Sequence, residues 1–305
     1  MDKKTIVVIG STNVDMVVKT HHIPGPGETV LGGIFLMNSG GKGANQAMSV
    51  ARLGGSVSFI SKVGNDIFGK QAIRSFAEAG IDTSYLLIDN DTPSGVALIT
   101  VDEQGENSIV VASGANANLT PGEVQKCLQK IPDAGILLIQ LEIPIDTVEF
   151  ALGYAAAHGI KVILNPAPGR PLRSELFELI DIVTPNSNEA EMLTGIVVND
   201  VDSARRAAEL LQKKGVKNVV ITLGKEGAVF LQDGKFDTIA ATKIKAVDTT
   251  GAGDVFNGAL AVGIAEGKDI LSSLRFACHA AAITTTRMGA QSAIPYRNEL
   301  IDPDT

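Results

Sequence analysis

The stretch Thr5-Ile-Val-Val-Ile9 is a short apolar run near the start of the chain, and Gly10 follows it directly. A continuous apolar run of this length is typical of a strand that is buried on both faces of a parallel sheet. Similar runs recur at residues 57–60, 136–139, 161–164, 181–183 and 218–222, with amphipathic segments between most of them. This alternation predicts an α/β protein with three layers (α/β/α), in which helices cover both faces of a central, mostly parallel sheet.

The amphipathic segments predict helices at residues 44–53, 68–79, 121–130, 145–158, 188–194, 203–214, 253–265 and 270–286. Two helix ends are marked by their residue types. Thr120-Pro121 opens one helix, because Thr is a good N-cap and Pro is favoured in the first turn. His158-Gly159 closes another, because Gly adopts the left-handed conformation that ends many helices.

Two stretches, at about residues 16–38 and 92–111, break this alternation. Both have the pattern of antiparallel strands, and the second contains the turn-like sequence Asp102-Glu-Gln-Gly105. A small sheet built from two insertions has one face to bury, against substrate or against another subunit. We therefore predict a single domain over residues 1–305 that carries a small antiparallel lid, and a homodimer that forms through this lid.

The composition argues against several classes of protein. The chain of 305 residues has a net charge of −8 and few aromatic residues, which are not interleaved with basic ones, so nucleic acid is not an expected partner. No apolar stretch reaches membrane-spanning length and the first apolar run is too short for a signal peptide, which predicts a cytoplasmic protein. Cys127 and Cys278 lie far apart and the four histidines lack ligand spacing, so neither a disulfide framework nor a zinc site is expected.

The sequence Asp248-Thr-Thr-Gly-Ala-Gly-Asp254 runs directly into a predicted helix. The unpaired amides of Gly251, Ala252 and Gly253, with the positive end of the helix, can receive the charge that builds on a phosphoryl group. Asp254 then lies where a substrate hydroxyl could give up its proton, and the helix N-terminus is expected to keep it ionised. The alternative is an acidic helix start that follows a glycine turn.

Polar residues follow several predicted strands, at the sheet edge where α/β proteins bind ligands. Asn13 and Asp15 come after the first strand and project to the same side of an extended stretch, so they could bind neighbouring hydroxyls. Glu142 follows the strand at 136–139 and could hydrogen-bond a sugar hydroxyl. Each of these residues could instead belong to a solvated loop.

Ser39-Gly-Gly-Lys-Gly-Ala-Asn45 precedes a predicted helix. Its glycines allow a backbone to approach a ligand closely, while Lys42 and Asn45 supply a charge and an amide at the helix start. The segment is not a Walker A loop, because Gly43 stands where Ser or Thr must bind magnesium.

Thr184-Pro-Asn-Ser-Asn-Glu189 places Asn186 and Glu189 three residues apart at a predicted helix start. The carboxylate could order the water shell of Mg²⁺ while the amide reaches phosphate, or the pair could simply cap the helix. Residues 219–227 form a strand that enters a glycine turn, which suits a nucleotide lying along exposed backbone and equally suits a plain hairpin.

Six motifs together resemble one family over almost the whole chain, the carbohydrate kinases that include ribokinases, fructokinases and adenosine kinases. They occur in the family's order: Gly-Ser-Thr-Asn-Val-Asp15, Gly-Gly-Lys-Gly-Ala-Asn-Gln46, Gln-Leu-Glu142, Leu-Asn-Pro-Ala-Pro168, Thr-Pro-Asn186 and Asp-Thr-Thr-Gly-Ala-Gly-Asp254. The resemblance implies a ribokinase-like fold and transfer of the γ-phosphoryl group of Mg·ATP to the 5-hydroxyl of D-ribose.

The resemblance also implies a role for each matching residue. The sugar would contact Asn13, Asp15, Gly41, Lys42, Asn45 and Glu142, and Asp254 would be the general base beside the amides of Gly251, Ala252 and Gly253. ATP would contact Asn186, Thr222, Gly224, Gly227, Gly253 and Cys278, and Glu189 would be associated with Mg²⁺ through water. A K⁺ site would involve Asp248, Thr250, Thr284, Arg287, Gly289 and Ala293. Two residues depart from the family pattern, because Cys278 stands where many members have Asn or His and Ala293 where a Ser often completes the K⁺ site.

Other functions remain open within and outside this family. Within it, the chain could be a fructokinase, a deoxyribose kinase or a nucleoside kinase, although only Phe35 and Met37 indicate the apolar lid that a nucleobase requires. An NAD-dependent oxidoreductase would need Gly-x-Gly-x-x-Gly after the first strand, where this chain has a single glycine, Gly10. A non-catalytic sugar-binding regulator should have lost Asp254 or its glycine loop, and both are present.

Overall fold

The structure is a computed structural model, and it describes residues 4–300. Its strands are β1 (Thr5–Ile9), β2 (Asn13–Lys19), β3 (Ile34–Gly40), β4 (Val57–Gly64), β5 (Leu86–Asp89), β6 (Gly95–Val101), β7 (Asn107–Ala112), β8 (Ala134–Ile139), β9 (Lys161–Leu164), β10 (Ile182–Val183), β11 (Asn218–Thr222), β12 (Ala228–Gln232) and β13 (Lys235–Ile239). Its helices are α1 (Lys42–Arg52), α2 (Ile67–Glu78), α3 (Pro121–Leu128), α4 (Ile145–Ala157), α5 (Ser187–Thr194), α6 (Val201–Lys213), α7 (Ala252–Ala265) and α8 (Ile270–Thr284).

Within residues 4–300, nine strands form the central sheet in the order β13-β12-β11-β10-β9-β8-β1-β4-β5. Pairing is parallel from β11 to β5, and it becomes antiparallel where β12 and β13 extend the sheet beyond β11. Every predicted strand is present, whereas β5, β12 and β13 lie outside the prediction. The edge strand β13 mixes polar and apolar residues, and the apolar run of β5 is only residues 86–88, whereas β12 has a buried apolar run that the strand prediction did not include.

The two faces of the central sheet bury separate apolar clusters. Ile6 and Val8 point to the face that α1, α2, α7 and α8 cover, while Val7 and Ile9 point to the face that α3, α4, α5 and α6 cover. Because successive side chains of a strand alternate between faces, a strand covered on both sides must be apolar throughout. The predicted three-layer α/β/α fold is therefore confirmed.

Each predicted helix is present, with ends that differ from the prediction by at most two residues. In α3, the Thr120 hydroxyl accepts from the Glu123 amide while the Glu123 carboxylate accepts from the Thr120 amide, so the predicted start is a capping box. Helix α1 begins at Lys42, two residues earlier than predicted, because Gly41 turns the chain into the helix with a φ of 90°. Among residues 4–300, no helix combines the length and the apolar character that a membrane crossing requires.

The two insertions form a separate four-stranded sheet, the lid, in the order β3-β2-β6-β7. Both hairpins, β2–β3 and β6–β7, are antiparallel as predicted, and they join through a parallel pairing of β2 with β6. The first hairpin is longer than predicted, because β2 begins at Asn13 and β3 continues to Gly40. Asn13 and Asp15 therefore belong to a lid strand rather than to a loop after β1.

Candidate active site

Asp254 lies in the first turn of α7, where its side chain is 5% exposed. Gly251 is the N-cap of this helix and has a φ of 76°, a left-handed conformation that favours glycine. Beside it, Gly253 faces open space, since an added Cβ would meet nothing within 4 Å. The amide of Ala252 donates to the carbonyl of Thr249 at 3.2 Å, so one of the three predicted anion-binding amides already has a partner.

Amide side chains of α1 hold both oxygens of the Asp254 carboxylate. Asn45 Nδ2 donates to Oδ2 at 2.9 Å, and Gln46 Nε2 donates to Oδ1 at 3.1 Å. The other polar atom of Asn45, Oδ1, is buried and has no hydrogen-bond partner within residues 4–300. A buried acceptor next to a carboxylate is suited to a donor from a bound ligand, such as a hydroxyl group.

The remaining predicted sugar-binding residues converge from the lid and from the end of β8. Glu142 accepts hydrogen bonds from the Ser11 hydroxyl and, at 3.0 Å, from the amide of Lys42. Asn13 Oδ1 accepts from Asn116 Nδ2 at 2.8 Å, which orients the Asn13 side chain.

Gly40 is needed where the lid strands meet, because the carboxylate of Asp15 lies against it. A Cβ at position 40 would stand 2.2 Å from Asp15 Oδ1. The glycine therefore lets this carboxylate pack directly on the neighbouring backbone of β3.

Charged groups within the site shift each other's titration. Burial acts to lower the pKa of Lys42, but the nearby carboxylates of Asp254, Glu142, Glu189 and Asp15 outweigh it, so the pKa lies above its ordinary value. The ammonium group therefore stays charged and faces several acids. A cation in this position can also balance the charge of a phosphate group.

Burial raises the pKa of Asp254 above its ordinary value, and the Glu142 carboxylate adds to this increase. Lys42 and the amides of Asn45 and Gln46 act in the opposite direction. The sequence argument that the helix N-terminus alone keeps Asp254 ionised is therefore incomplete, because desolvation is the largest influence on this group. A raised pKa brings a carboxylate closer to neutral pH, which is where a general base works best.

Asp15 and Glu189 are also more basic than ordinary carboxylates. Burial, and then the charges of Glu142 and Asp254, raise the pKa of Asp15 to about 6. Burial likewise raises the pKa of Glu189, against the effects of the Asn186 amide and Lys42. Several acids that crowd a low-dielectric site raise one another's pKa, and such shifted groups cluster at functional sites.

A cavity of about 220 Å³ opens directly in front of Asp254. Its wall includes Lys42, Asn165, Asn186, Glu189, Thr222, Gly251, Gly253 and Asp254. A larger cavity, of about 430 Å³, lies beyond it and is lined by Thr222, Gly224, Gly227, Ala252, Gly253, Phe256, Cys278 and Ala281, among others. Thr222, Thr249 and Gly253 line both cavities, so the two spaces meet at the start of α7.

Asn186 and Glu189 form a capping box at the start of α5. Asn186 Oδ1 accepts from the amide of Glu189, and Glu189 Oε2 accepts from the amide of Asn186, each at 2.9 Å. The capping alternative is therefore correct as a description of local structure. Because both residues also line the 220 Å³ cavity, the same box presents a buried carboxylate to any ligand there.

One wall of the larger cavity is a tight turn between β11 and β12. Gly224 and Gly227 both have positive φ, and an added Cβ at Gly227 would lie 2.0 Å from the carbonyl oxygen of Ile239. The hairpin alternative is thus also correct, and its backbone borders the cavity. Cys278 faces this cavity from α8, and burial raises the pKa of its thiol to about 12, so it remains neutral.

Comparison with known proteins places this chain in a family. Residues 3–297 match the pfkB family of carbohydrate kinases. The chain belongs to the pfkB carbohydrate kinase family. A ribokinase of Haemophilus influenzae is 45% identical over 300 residues, which cover 98% of each chain. A deoxyribokinase of Salmonella typhi is 38% identical over 291 residues, which cover 95% of each. The structure of Arabidopsis thaliana ribokinase complexed with ribose and ATP superposes with a TM-score of 0.90, at 32% identity and 98% coverage of both chains.

In this carbohydrate kinase, three of the six predicted K⁺-site residues lie together. Asp248 Oδ1 accepts from the amide of Thr250 at 2.9 Å, and its Oδ2 accepts from the amide of Gly289 at 2.8 Å. Burial acts to raise the pKa of Asp248, but these hydrogen bonds outweigh it and the pKa lies below its ordinary value. The loop after α8 is thereby tied to the loop that precedes Gly251.

The other three predicted K⁺-site residues have different surroundings. The guanidinium of Arg287 pairs with Glu299. The hydroxyl of Thr284 donates to the Ala280 carbonyl at 3.0 Å. Ala293 is fully buried in a short 3₁₀ turn. Their side chains do not join the Asp248 cluster, so only their backbone carbonyls could contribute to a cation site there.

Three amides of this kinase site were missed from the sequence. Gln46 bonds to Asp254, Asn165 accepts from Gln46 at 3.1 Å, and Asn257 Oδ1 accepts from the Thr184 hydroxyl. A signal existed for each of them. Asn165 directly follows a predicted strand, Gln46 follows Asn45, and Asn257 lies three residues after Asp254 on the same face of α7.

Proposed function

We propose that this protein transfers the γ-phosphoryl group of ATP to the 5-hydroxyl of D-ribose, which yields ribose 5-phosphate and ADP. One observation carries the proposal: Asp254 stands between a set of polar side chains and the start of a two-part cavity that can take a nucleotide. The ribokinase relatives support the choice of sugar. Because the two cavities meet at the start of α7, a phosphate of a nucleotide in the larger cavity could reach Asp254 in the smaller one, which supports transfer from ATP to the sugar.

The sugar is held from two sides in this proposal. Asn13 and Asp15 approach it from the lid, and Asn45, Lys42 and Glu142 approach from the body of the protein. Most of these side chains are already oriented by protein contacts, such as the bond from Asn116 to Asn13. Preorganised polar groups reduce the entropy lost on binding and fix the reacting hydroxyl in one position.

The chemical step requires Asp254 to accept a proton as the sugar oxygen attacks phosphorus. Charge on the transferred group is balanced by the Lys42 ammonium and by the amides at the start of α7. The Ala252 amide must leave the Thr249 carbonyl to take part, so a small rearrangement of this turn accompanies phosphate binding. Closure of the lid excludes water, which would otherwise compete as the acceptor.

The cavity geometry suits the nucleotide in one orientation. The base and ribose of ATP occupy the 430 Å³ cavity beside Gly224, Gly227 and Cys278, and the phosphates extend toward Gly253. Glu189, with Asn186, would hold Mg²⁺ through water, because a single buried carboxylate suits a cation that keeps most of its hydration shell. The bound ion would neutralise phosphate charge.

A monovalent cation completes the proposal. Asp248 ties the loop at Thr250 to the loop at Gly289, and its carboxylate with backbone carbonyls of these loops would bind K⁺. Because Asp248 braces the loop before Gly251, the ion would shape the anion-binding turn without contacting substrate.

The lid sheet is proposed to form a homodimer. Large apolar side chains that are 38% exposed or more occur on all four of its strands. The strand register places five of them on one face of the sheet, namely Val18, Phe35, Met37, Leu98 and Val110. Monomeric proteins seldom expose a contiguous apolar area of this kind. A second copy of the lid would present the same apolar side chains, so two lids could bury them against each other.

One assay tests the activity. ADP release would be measured with D-ribose, 2-deoxyribose, fructose and adenosine as acceptors, with Mg²⁺ present and with K⁺ exchanged for Na⁺. We expect the highest kcat/KM for ribose and a loss of activity in Na⁺. Preference for 2-deoxyribose would select the second candidate, which the deoxyribokinase relative supports. Preference for fructose or adenosine would refute the proposed substrate.

A further inference from the structure

Gln46 and Gln140 are fully buried amides in the interior between α1, α7 and the end of β8. Gln46 Nε2 lies 3.1 Å from Asp254 Oδ1 and 3.1 Å from Asn165 Oδ1. Gln46 Oε1 in turn accepts from Gln140 Nε2. A buried amide is destabilising unless it is hydrogen-bonded, and these bonds to Asp254, to Asn165 and between the two glutamines meet that need for three of the four amide nitrogen and oxygen atoms.

The direction of the hydrogen bonds along this chain is set by Asp254. An ionised carboxylate can only accept, so Gln46 must turn its amino group toward it. Gln46 Oε1 then faces Gln140, which must donate. Gln140 Oε1 is left buried without a partner within residues 4–300, and it lies so close to Gly10 that an added Cβ there would stand 2.0 Å away. The protein tolerates this unpaired oxygen, as expected if the orientation of the Gln46 amide toward Asp254 matters.

We propose that Gln46 and Gln140 are positioning residues that form a buried amide relay and hold the Asp254 carboxylate in its reactive orientation. The proposal rests on the proposed role of Asp254 as general base. Asn45 holds the other carboxylate oxygen from the same helix, so together the two amides fix the plane of the group. Glu142 lies two residues after Gln140, which links the sugar-binding end of β8 to the base.

The relay differs from the other groups around Asp254 because it is neutral. The charged groups that face this carboxylate are Lys42 from α1, Glu142 from the end of β8, Asp15 from β2 and Glu189 from α5. Charges act over distance and through several geometries, whereas an amide hydrogen bond is directional. The amides therefore determine which way the carboxylate points.

The test replaces each amide by Met, which has a similar shape and cannot donate or accept strongly. We expect Gln46→Met to lower kcat by about 10- to 100-fold, the loss typical of a misdirected or weakened contact to a charged catalytic group. The KM values for sugar and ATP should change by no more than about twofold, because neither ligand touches Gln46 in the proposed site.

A pH profile separates positioning from general damage to the fold. Loss of a donor to the carboxylate favours its protonated form, so the acid limb of kcat/KM should move to higher pH in Gln46→Met. Gln140→Met should shift it in the same direction by a smaller amount. Because Gln140 acts through Gln46, the double variant should be no worse than Gln46→Met alone.

Asn218→Leu is the matched control. This amide lies at the start of β11, whereas the cavity residue Thr222 lies at its end. It donates to the Asp181 carbonyl at 2.8 Å, so its loss should leave kcat and the pH profile unchanged. Thermal unfolding of each variant shows whether it is folded. Should Gln46→Met fail to fold, Gln140→Met provides the same test.

The outcomes distinguish the relay from the base itself. Wild-type kcat and an unmoved acid limb in a folded Gln46→Met or Gln140→Met variant would overturn the relay, as would additive losses in the double variant. If Asp254→Asn is inactive while the glutamine variants are normal, the relay alone is wrong. If Asp254→Asn keeps its activity, the assignment of the base is wrong.

Discussion

Asn45 Nδ2 lies 2.9 Å from Asp254 Oδ2, although the two residues are 209 positions apart in the chain. Close packing of α1 against α7 makes this contact. Gly258 on α7 allows it, because an added Cβ there would stand 2.5 Å from the Ser49 hydroxyl on α1. The helix that carries the proposed sugar-binding residues Lys42 and Asn45 and the helix that carries the proposed base are thus held as one unit.

Replacing the proposed base, Asp254, should abolish most catalysis without unfolding the protein. Asp254→Asn keeps the shape of the side chain but cannot accept a proton from the sugar hydroxyl, so kcat should fall by about 10² to 10⁴. Steady-state kinetics and a direct measurement of ATP binding would check this. ATP affinity should be nearly unchanged, and near-normal turnover would refute the assignment.

The ionised Asp15 carboxylate should destabilise the folded protein at neutral pH. Its pKa of about 6 in the folded protein lies above the value of about 3.9 expected when unfolded, so the folded state favours the neutral form. Its contribution is therefore most favourable below about pH 4 and is lost as pH rises through about 6. Asp15→Asn cannot ionise and should unfold at a higher temperature than the wild type at pH 8.

The comparison at two pH values provides the check on Asp15. The difference in Tm between Asp15→Asn and wild type should shrink as the pH approaches 4, while KM for the sugar should rise about tenfold or more. A stability difference that does not depend on pH would show that burial of the charge is not its cause.

The left-handed residue before α7 should matter for both stability and turnover. Gly251→Ala forces a Cβ into a φ of 76°, which costs about 1–2 kcal/mol of folding free energy. The added methyl also meets Ala290 at 3.4 Å and restricts the turn that is proposed to receive phosphate, so kcat should fall. Chemical denaturation and steady-state kinetics would measure the two effects.

Gly267→Ala is the control for that substitution. Gly267 has a φ of 79° and an added Cβ would meet nothing within 4 Å, so the backbone cost is the same and the active site is untouched. Equal losses of kcat in the two variants would show that the turn at Gly251 has no special role in catalysis.

Filling the larger cavity should weaken ATP binding selectively. Ala281 lines this cavity from α8, and Leu is a good helix former, so Ala281→Leu should fold normally. The added volume should raise KM for ATP by about tenfold or more, with little change in KM for the sugar. An unchanged KM for ATP would place the nucleotide elsewhere.

A charge on the lid should prevent dimer formation. Phe35 is 60% exposed on β3, and Phe35→Asp would bury a carboxylate in the proposed interface, which is strongly unfavourable. Sedimentation should find a dimer for the wild type and a monomer for this variant. Val197→Asp, at the same 60% exposure but outside the lid, should remain dimeric. A monomeric wild type would contradict the prediction.

The sequence by itself determined the layers and most elements of the fold. Strands such as β1 and β8 are covered on both faces, so they must be apolar and are visible as continuous runs. Helix ends at Thr120 and Gly159 were visible for a similar reason, because local hydrogen bonds and backbone conformation select those residue types. The edge strand β13 was missed because a partly exposed strand lacks that constraint, whereas β5 and β12 carry short apolar runs that were not assigned to strands.

Motif order determined the family and named the residues of the candidate site, but only the tertiary structure decided how they act together. The pKa of Asp254 depends on its burial and on Lys42 and Glu142, none of which is its neighbour in the chain. Gln46 and Gln140 gain their importance from contacts made across the core. Desolvation and hydrogen-bond direction arise from packing between distant segments of the chain. Secondary-structure propensity and hydrophobic periodicity are local properties, so the sequence reveals them while it leaves the pKa values and the hydrogen-bond network to the tertiary structure.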